Sequence, residues 1–392
     1  MTRRADTSLL ILENATLFAP DRVLEQAAVV VRNDRIAAVL PAGRRRPAGP
    51  RLDLHGAFLA PAFIDLHIHG ALGRDTMEAD LDAWNAISRH HAAGGTGAFA
   101  LTTVACDWPS LQRVLDLART RPVLDGARLL GIHVEGPFLS PARPGAHATA
   151  HLDTPSRLWA SRLAAYRDVI TQVTLAPELP GSLPLIRQLK RHSIVASIGH
   201  SDGSAADVTR AANAGATQAT HLYNCMSSAR KEGPFRVAGV VETVLTEPRL
   251  RAELIADGFH VAPELLKLAV TAKGTDGLVL ITDATAGAGL PKGKTFRLGD
   301  IRAKVRTGHA LTADGRALAG STCRMIDTIR TMVRCADVSL AEAIRMATRN
   351  PARQLGLPKG HGEIRPGAPA DLCVFDRQFR VRHLWTAGRP FL

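Results

Sequence analysis

Between residues 63 and 284, eight short apolar runs alternate with amphipathic stretches, and few folds accept that order. The runs are "FIDLHIHG" (63–70), "TGAFALTT" (96–103), "RLLGIHVEG" (128–136), "ITQVTLAPE" (170–178), "IVASIGHS" (194–201), "ATQATHLYN" (216–224), "RAELIADGFHV" (251–261) and "LVLITDA" (278–284). Stretches 80–93, 108–120, 182–191, 204–214 and 263–273 carry helical periodicity. Uniformly apolar runs suit strands buried on both faces, as in a parallel sheet covered by helices. Eight of them predict an α/β fold, a (β/α)8 TIM-type barrel. A six-stranded doubly wound sheet would leave two strands over, and no G-x-G-x-x-G follows the first run.

The flanks read differently. Residues 8–58 hold short β segments broken by Asp-Arg, Asn-Asp and Pro/Gly turns, and the C-terminal "DLCVFDRQFRVRHLWTAGRPFL" has the same character. The expectation is a small β-sandwich domain formed from 1–58 with 363–392, beside a barrel over 59–362. Residues 286–318, Gly-rich and β-like, read as an inserted hairpin. A helical stretch at 321–336 is expected to be capped by Ser321-Thr322, and one at 340–349 to end before Pro351.

Composition narrows the class. With 46% hydrophobic and 22% charged residues the chain reads as a folded soluble protein, and at 4% aromatic its core is expected to be mainly aliphatic. No apolar run approaches the ~20 residues of a membrane span. The N-terminal apolar patch "LLIL" is too short for a secretory signal. The expectation is a cytoplasmic protein without membrane contact. Five cysteines, never in a C-x-x-C, argue for reduced thiols. The net charge of +13 comes mostly from dispersed arginine, and the one dense run, Arg44-Arg45-Arg46, lies in a Pro/Gly loop. With no basic-aromatic module, this favours an anionic small substrate over nucleic acid.

In such a barrel the C-terminal strand ends converge on one face, where chemistry sits. The first run brings His67 and His69 there, the third His133 and Glu135, and the fifth His200. The sixth brings His221 and Asn224, the seventh Asp257 and His260, and the eighth Asp283. His67 and His69, at i and i+2, share one strand face. Alone they fit either a metal pair or a polar strand end in water. His200 and His221 alone each fit a satisfied strand-end histidine. His133 shares the face of Glu135 one layer lower and reads as a core or supporting residue. Asp283 ends an apolar run, where an unpaired buried carboxylate is costly. Together, nitrogen and oxygen donors with a spare carboxylate are what metal-assisted hydrolysis requires.

The blocks "GIHVEGPFLSPARPGAH", "TLAPE", "SIGHS", "THLYNCM", "IADGFHV", "LITDA" and "ALAGST", in this order, resemble the N-acetylglucosamine-6-phosphate deacetylases of the amidohydrolase superfamily. The resemblance covers essentially the whole chain, through "NPARQLGL" and "GEIRPGAPADLCVFD". It implies hydrolysis of the acetamide of N-acetyl-D-glucosamine 6-phosphate, in amino-sugar catabolism and cell-wall sugar recycling. It implies Glu135, His200 and His221 as ligands of a principal divalent metal, with zinc first and iron, manganese or cobalt as alternatives. His67 and His69 would complete a second site bridged by Glu135, giving one or two metals per subunit. By the same resemblance Asp283 is the general base and then acid, and His147 stabilises the oxyanion with the metal. Ala146, His147, Asn224, Cys225, Asp257, Gly258, Phe259, His260, Leu318, Ala319 and Gly320 match substrate-contact positions. A homodimer is implied, with a phosphate contact made across the interface.

Some residues depart from the family pattern. Where the family carries His-His-Arg-Glu-Pro-Gly, this chain has "SSARKEGPF", so the phosphate contact falls on Arg230 or Lys231. Lysine lacks the bidentate fork of arginine. Cys225 stands where alanine is common. Neighbouring readings are an N-acetylgalactosamine-6-phosphate deacetylase and the cyclic amidases or D-aminoacylases of the same superfamily. Many cyclic amidases bridge two metals with a carbamylated lysine, and the only lysine between 128 and 230 is Lys190, in a helical stretch.

Overall fold

The computed structural model describes residues 8–392; residues 1–7, assigned above to the N-terminal module, lie outside the described residues. Eight parallel strands form the central sheet: β1 (Phe63–Ile68), β2 (Thr96–Thr102), β3 (Arg128–Glu135), β4 (Ile170–Leu175), β5 (Val195–Ile198), β6 (Gln218–Ala219), β7 (Arg251–Ile255) and β8 (Leu278–Ile281). They pair in chain order from β1 to β8. The two ends then meet. The Asp283 N–H donates to the His67 carbonyl at 2.9 Å, and the His69 N–H to the Ala284 carbonyl at 2.8 Å. The expected barrel is thus the observed one.

The strands are shorter than the apolar runs. β6 is only two residues long, because the backbone turns left-handed at His221, Tyr223 and Cys225 (φ 32°, 79° and 53°) and leaves the ladder. Expected helices form at Leu81–Ala92, Trp108–Arg119, Ser182–Arg191, Ala205–Ala214 and Pro263–Lys273. Asp80, Asp107 and Ser204 cap three of them, their side-chain oxygens accepting from backbone N–H groups of the first turn. Helices Arg157–Ala165 and Val240–Thr246 fall outside the expected set. The second reads VVETVLT, whose β-branched residues favour a strand in isolation. Burial of Val240, Val241, Val244 and Leu245 in the main core decides for helix.

Three expectations need correction. The insertion is a four-stranded antiparallel sheet, Thr295–Leu298, Ile301–Val305, His309–Thr312 and Leu318–Ser321, and not a hairpin. It has its own apolar core around Phe296, Leu298, Ala303 and Val305. The following helix spans Met325–Cys335 with Arg324 at its N-cap; Ser321 is taken by the insertion's last strand, its hydroxyl donating to the Thr282 carbonyl at 2.6 Å. The helical stretch at 340–349 splits into Leu340–Met346 and Arg349–Gln354, with Pro351 inside the first turn of the second, where its missing N–H costs nothing.

The chain ends build one eight-stranded mixed sheet. Phe58–Pro61 sits at its centre, parallel to Leu9–Phe18 and antiparallel to Leu372–Phe375, so the last strand before the barrel joins both termini. Among the described residues no helix is long and apolar enough to cross a membrane.

Barrels of this kind are usually filled by branched aliphatic side chains. Here the layer below the mouth is polar and fully buried. His133 Nε2 meets the Thr174 hydroxyl at 2.7 Å, Thr174 meets Thr220 at 2.7 Å, and Thr220 meets Ser197 at 2.6 Å. His133 thus lies one layer below Glu135, as its spacing predicts. Gln172 of β4 and Gln218 of β6 both donate to Glu253 of β7, the first bond crossing the barrel interior and the second joining neighbouring strands. At the seam, Asp65 accepts from the Thr282 hydroxyl at 2.6 Å.

Burial pushes the Asp65 carboxyl up to about 7, against hydrogen bonds from Thr282 and the His67 backbone. Folding therefore favours the protonated acid; that stability is present below the ordinary value of 3.8 and is lost as pH rises through about 7. Thr282→Val removes the hydroxyl and leaves a buried oxygen short of a donor at the seam. It should cost about 1–3 kcal/mol, most at a pH where Asp65 is ionised, read as a lower urea midpoint at constant slope. An unchanged midpoint would mean that the seam closes without this bond.

Candidate metal centre

Glu135 ends β3 at 1% exposure; four imidazoles converge on it within 3.3 Å, and His147 Nε2 stands 3.5 Å from Oε2. Its Oε1 lies 3.2 Å from His200 Nε2 and 3.1 Å from His221 Nε2. Its Oε2 lies 3.3 Å from His67 Nε2 and 3.2 Å from His69 Nε2. The i, i+2 spacing on β1 aims both rings the same way, with their Nε2 atoms 3.1 Å apart. His200 and His221 come from β5 and β6, their Nε2 atoms 3.0 Å apart. Asp283 Oδ1 stands 3.3 Å from both His67 and His69 Nε2.

Three of these residues lie two positions beyond their strands. His200, His221 and Asp283 adopt φ of 47°, 32° and 50°, a left-handed backbone that costs an L-residue roughly 1–2 kcal/mol. The turn carries each side chain over the mouth. Gly320, in the insertion's last strand, permits the close approach there: a Cβ on it would lie 2.6 Å from the Asp283 carbonyl. Ser321 N–H donates to that same carbonyl at 2.8 Å.

The electrostatics ask for positive charge. Burial acts to raise Glu135, but the charge of His67 and hydrogen bonds from His147, His200 and His221 hold it well below the carboxylate range. Burial likewise acts against charging His67 and His69, yet Glu135 and Asp283 draw His67 well above its ordinary value and His69 up to about 9. Asp283 is held low, its burial outweighed by His67 and His69. Two ring nitrogens about 3 Å apart need a shared proton or a cation beside them. A tetrahedral zinc–nitrogen site puts its donor atoms about 3.3 Å apart, close to what both pairs show. The protein's own groups thus form two clusters fit for divalent cations, His67–His69–Glu135 and Glu135–His200–His221.

A cavity of about 210 Å³ opens above the clusters. Ala146, His147, Asn224, Cys225, His260, Asp283, Leu318 and Gly320 line it with His69, Glu135, His200 and His221, as do Gly145, Leu298 and Ala317. Other expected contacts stand elsewhere. Asp257 accepts from His260 Nδ1 at 2.7 Å and holds that ring from behind. Phe259 is half-exposed and stacks on His309 at 4.8 Å, with Gly258 beside it in the same turn. Ala319 is buried in the insertion's core. Arg230 and Lys231 lie on an exposed hairpin, Arg230–Glu232 with Phe235–Val237, where Arg230 pairs with Glu232 at 2.7 Å. Among the described residues that line the cavity, none is Lys or Arg.

Residues 58–390 match the Amidohydrolase family. The chain belongs to the amidohydrolase family. It is 35% identical to the N-acetylglucosamine-6-phosphate deacetylase of Bacillus subtilis over 95% of this chain and 94% of that one. It is 34% identical to the N-acetylgalactosamine-6-phosphate deacetylase of Escherichia coli O157:H7, over 84% of this chain and 87% of that one. The fold superposes with a TM-score of 0.89 and 31% identity on a mutant N-acetyl-D-glucosamine-6-phosphate deacetylase from Mycobacterium smegmatis solved with N-acetyl-D-glucosamine-6-phosphate, over 99% of this chain and 100% of that one.

Several residues behind the amidohydrolase centre carry no motif. Asp65, Gln172, Gln218 and Glu253 each sit inside an apolar run, and a buried polar residue at an inward register was the available signal. The Arg143 carbonyl, which faces His200 Nδ1 at 2.9 Å, left no signal at all.

Near neutral pH, His69 without a cation carries a proton, since its carboxylate neighbours draw it up to about 9. Divalent cations added to metal-free protein should therefore release protons, and apparent affinity should fall as pH is lowered. Calorimetry in two buffers of different ionisation heat measures the release. Zero net release would show that the rings are already neutral.

Proposed function

We propose that this chain hydrolyses the acetamide of N-acetyl-D-glucosamine 6-phosphate, giving acetate and D-glucosamine 6-phosphate. The observation that carries this reading is the meeting of four imidazoles on one buried carboxylate, beneath a cavity that Asp283 and His147 also face. The Bacillus subtilis relative and the Mycobacterium smegmatis complex support the choice of substrate. The Escherichia coli relative gives a second reading, the galactosamine epimer. An acetate-release assay on both epimers, with and without phosphate, tests the two; metal analysis of the same sample tests the centre.

Glu135, His200 and His221 would hold the principal divalent cation, and Glu135 with His67 and His69 a second. Zinc suits these donors best, with iron, manganese or cobalt next. Such a cation polarises the acetyl carbonyl and eases deprotonation of a water.

The chain's own groups do the rest. Asp283 takes a proton from the attacking water and passes it to the nitrogen as the C–N bond breaks. His147 Nδ1 accepts from the Ala105 N–H at 3.0 Å, so its hydrogen lies on Nε2. Burial pushes His147 down to about 4, and it stays a neutral donor to the carbonyl oxygen as charge develops there. Asn224 and His260 face the cavity as hydroxyl partners for the sugar. With no Lys or Arg in the cavity wall, the phosphate must be met from outside it. We assign that contact to Arg230 or Lys231 of a second copy, in a homodimer.

Two outcomes test the roles. Asp283→Asn keeps shape but moves no proton, so turnover should drop about 10²–10⁴-fold with the principal metal retained. Turnover near that of the parent would place the base elsewhere, with His260 first in line. Replacing the phosphate-binding member of Arg230 and Lys231 should raise KM for the phosphorylated sugar and leave the unphosphorylated one nearly unchanged. An active monomer at assay concentration would remove the cross-subunit contact.

A further inference from the structure

We infer that Glu253 is a positioning residue for the metal centre, one that governs whether its His67–His69 half fills; this rests on the metal-dependent reading above. Glu253 lies mid-strand on β7, fully buried and outside the cavity wall. Its neighbours are hydrogen donors. Oε1 accepts from the Gln218 amide at 2.5 Å and the Gln172 amide at 3.4 Å. Oε2 accepts from the His221 backbone N–H at 3.4 Å and stands 3.5 Å from His67 Nδ1. The two amides are locked in that orientation. Gln218 also donates to the Gln172 carbonyl oxygen at 3.1 Å, and Gln172 to the Leu66 carbonyl at 3.1 Å.

The Glu253 carboxylate therefore serves His67 as an acceptor, and the hydrogen of that ring belongs on Nδ1. In the neutral ring that a cation requires, the lone pair of His67 is then on Nε2, the atom that faces His69 and Glu135. The other ligand rings are held differently. His200 Nδ1 meets a backbone carbonyl, and Nδ1 of His69 and His221 finds no hydrogen-bond partner among the described residues. Among the four, His67 alone is oriented from behind by a carboxylate. Without Glu253 the ring can turn, or present Nδ1 in place of Nε2.

The test is a titration of metal-free protein with cobalt(II) against a chelator of known affinity, reading the visible spectrum of each equivalent. The parent should take two equivalents, one per cluster. In Glu253→Ala and Glu253→Met, the second equivalent should weaken about 10–100-fold while the first stays within about threefold. Glu253→Gln, whose amide oxygen can still accept from Nδ1 but whose NH2 then faces the Gln172 and Gln218 donors, should recover part of the loss. A merely structural role would lower thermal stability and weaken both equivalents alike, and that result overturns the assignment. So does a parent that binds one equivalent, or variants that bind two as the parent does. If the apolar variants do not fold, the cobalt-loaded parent decides by proton magnetic resonance. A slowly exchanging, paramagnetically shifted N–H that disappears in His67→Ala supports the bond to Glu253, and its absence refutes it. A parent that binds no cobalt overturns the metal-dependent reading itself.

Discussion

A carboxylate 1% exposed is not stable in a protein interior without opposing charge, and among the described residues that line the cavity with Glu135 none is Lys or Arg. It has imidazoles on both oxygens, between 3.1 and 3.3 Å away. Those imidazoles are themselves buried, so the charge problem is passed on and not solved by them. A divalent cation in each of the two clusters, as the proposed function requires, would solve it, with Glu135 common to both. The rest of the mouth follows from that need. Four strands must deliver their donors to one point, and the barrel is the device that brings strands one, three, five and six to a common rim.

Beneath that rim the usual aliphatic filling is replaced by hydrogen-bonded side chains from β3 to β7. A buried polar layer is tolerable only when its members satisfy one another. The Gln172–Gln218–Glu253 group does so nearly completely, with one Gln218 oxygen left over. Above the rim the insertion supplies Leu298, Ala317, Leu318 and Gly320 to the cavity wall. Chemistry thus comes from the barrel and much of the wall from the insertion, two parts joined where Ser321 bonds the backbone of Asp283.

The strand order and the rim were legible because apolar runs and their polar ends are local signals. His67 and His69 could be placed on one face from spacing alone, and "THLYN" and "GIHVEG" carried family signatures. What stayed hidden depends on contacts distant in sequence. Gln172 and Glu253 are 81 residues apart, and only barrel closure sets them face to face. VVETVLT became a helix because burial outweighed its β-branched preference. The insertion gave its β character but not its strand count, since Gly-rich turns mark reversals without saying how the segments between them pair. On the exposed Arg230–Lys231 hairpin the structure pairs Arg230 with Glu232 of the same strand, a local contact that sequence spacing does not reveal.

The left-handed backbone at His200, His221 and Asp283 has a consequence for how such a chain can change. Glycine adopts that conformation freely, so at each position the variant that relieves the backbone is also the one that removes a functional group. Backbone ease and the function proposed for these side chains pull in opposite directions at the same three positions. At His200 and His221 the same change would also strip imidazoles from the buried Glu135 charge, so backbone relief and loss of the cluster arrive together. Persistence of all three side chains in a descendant sequence would then speak for what they do together, since the backbone taken alone favours glycine.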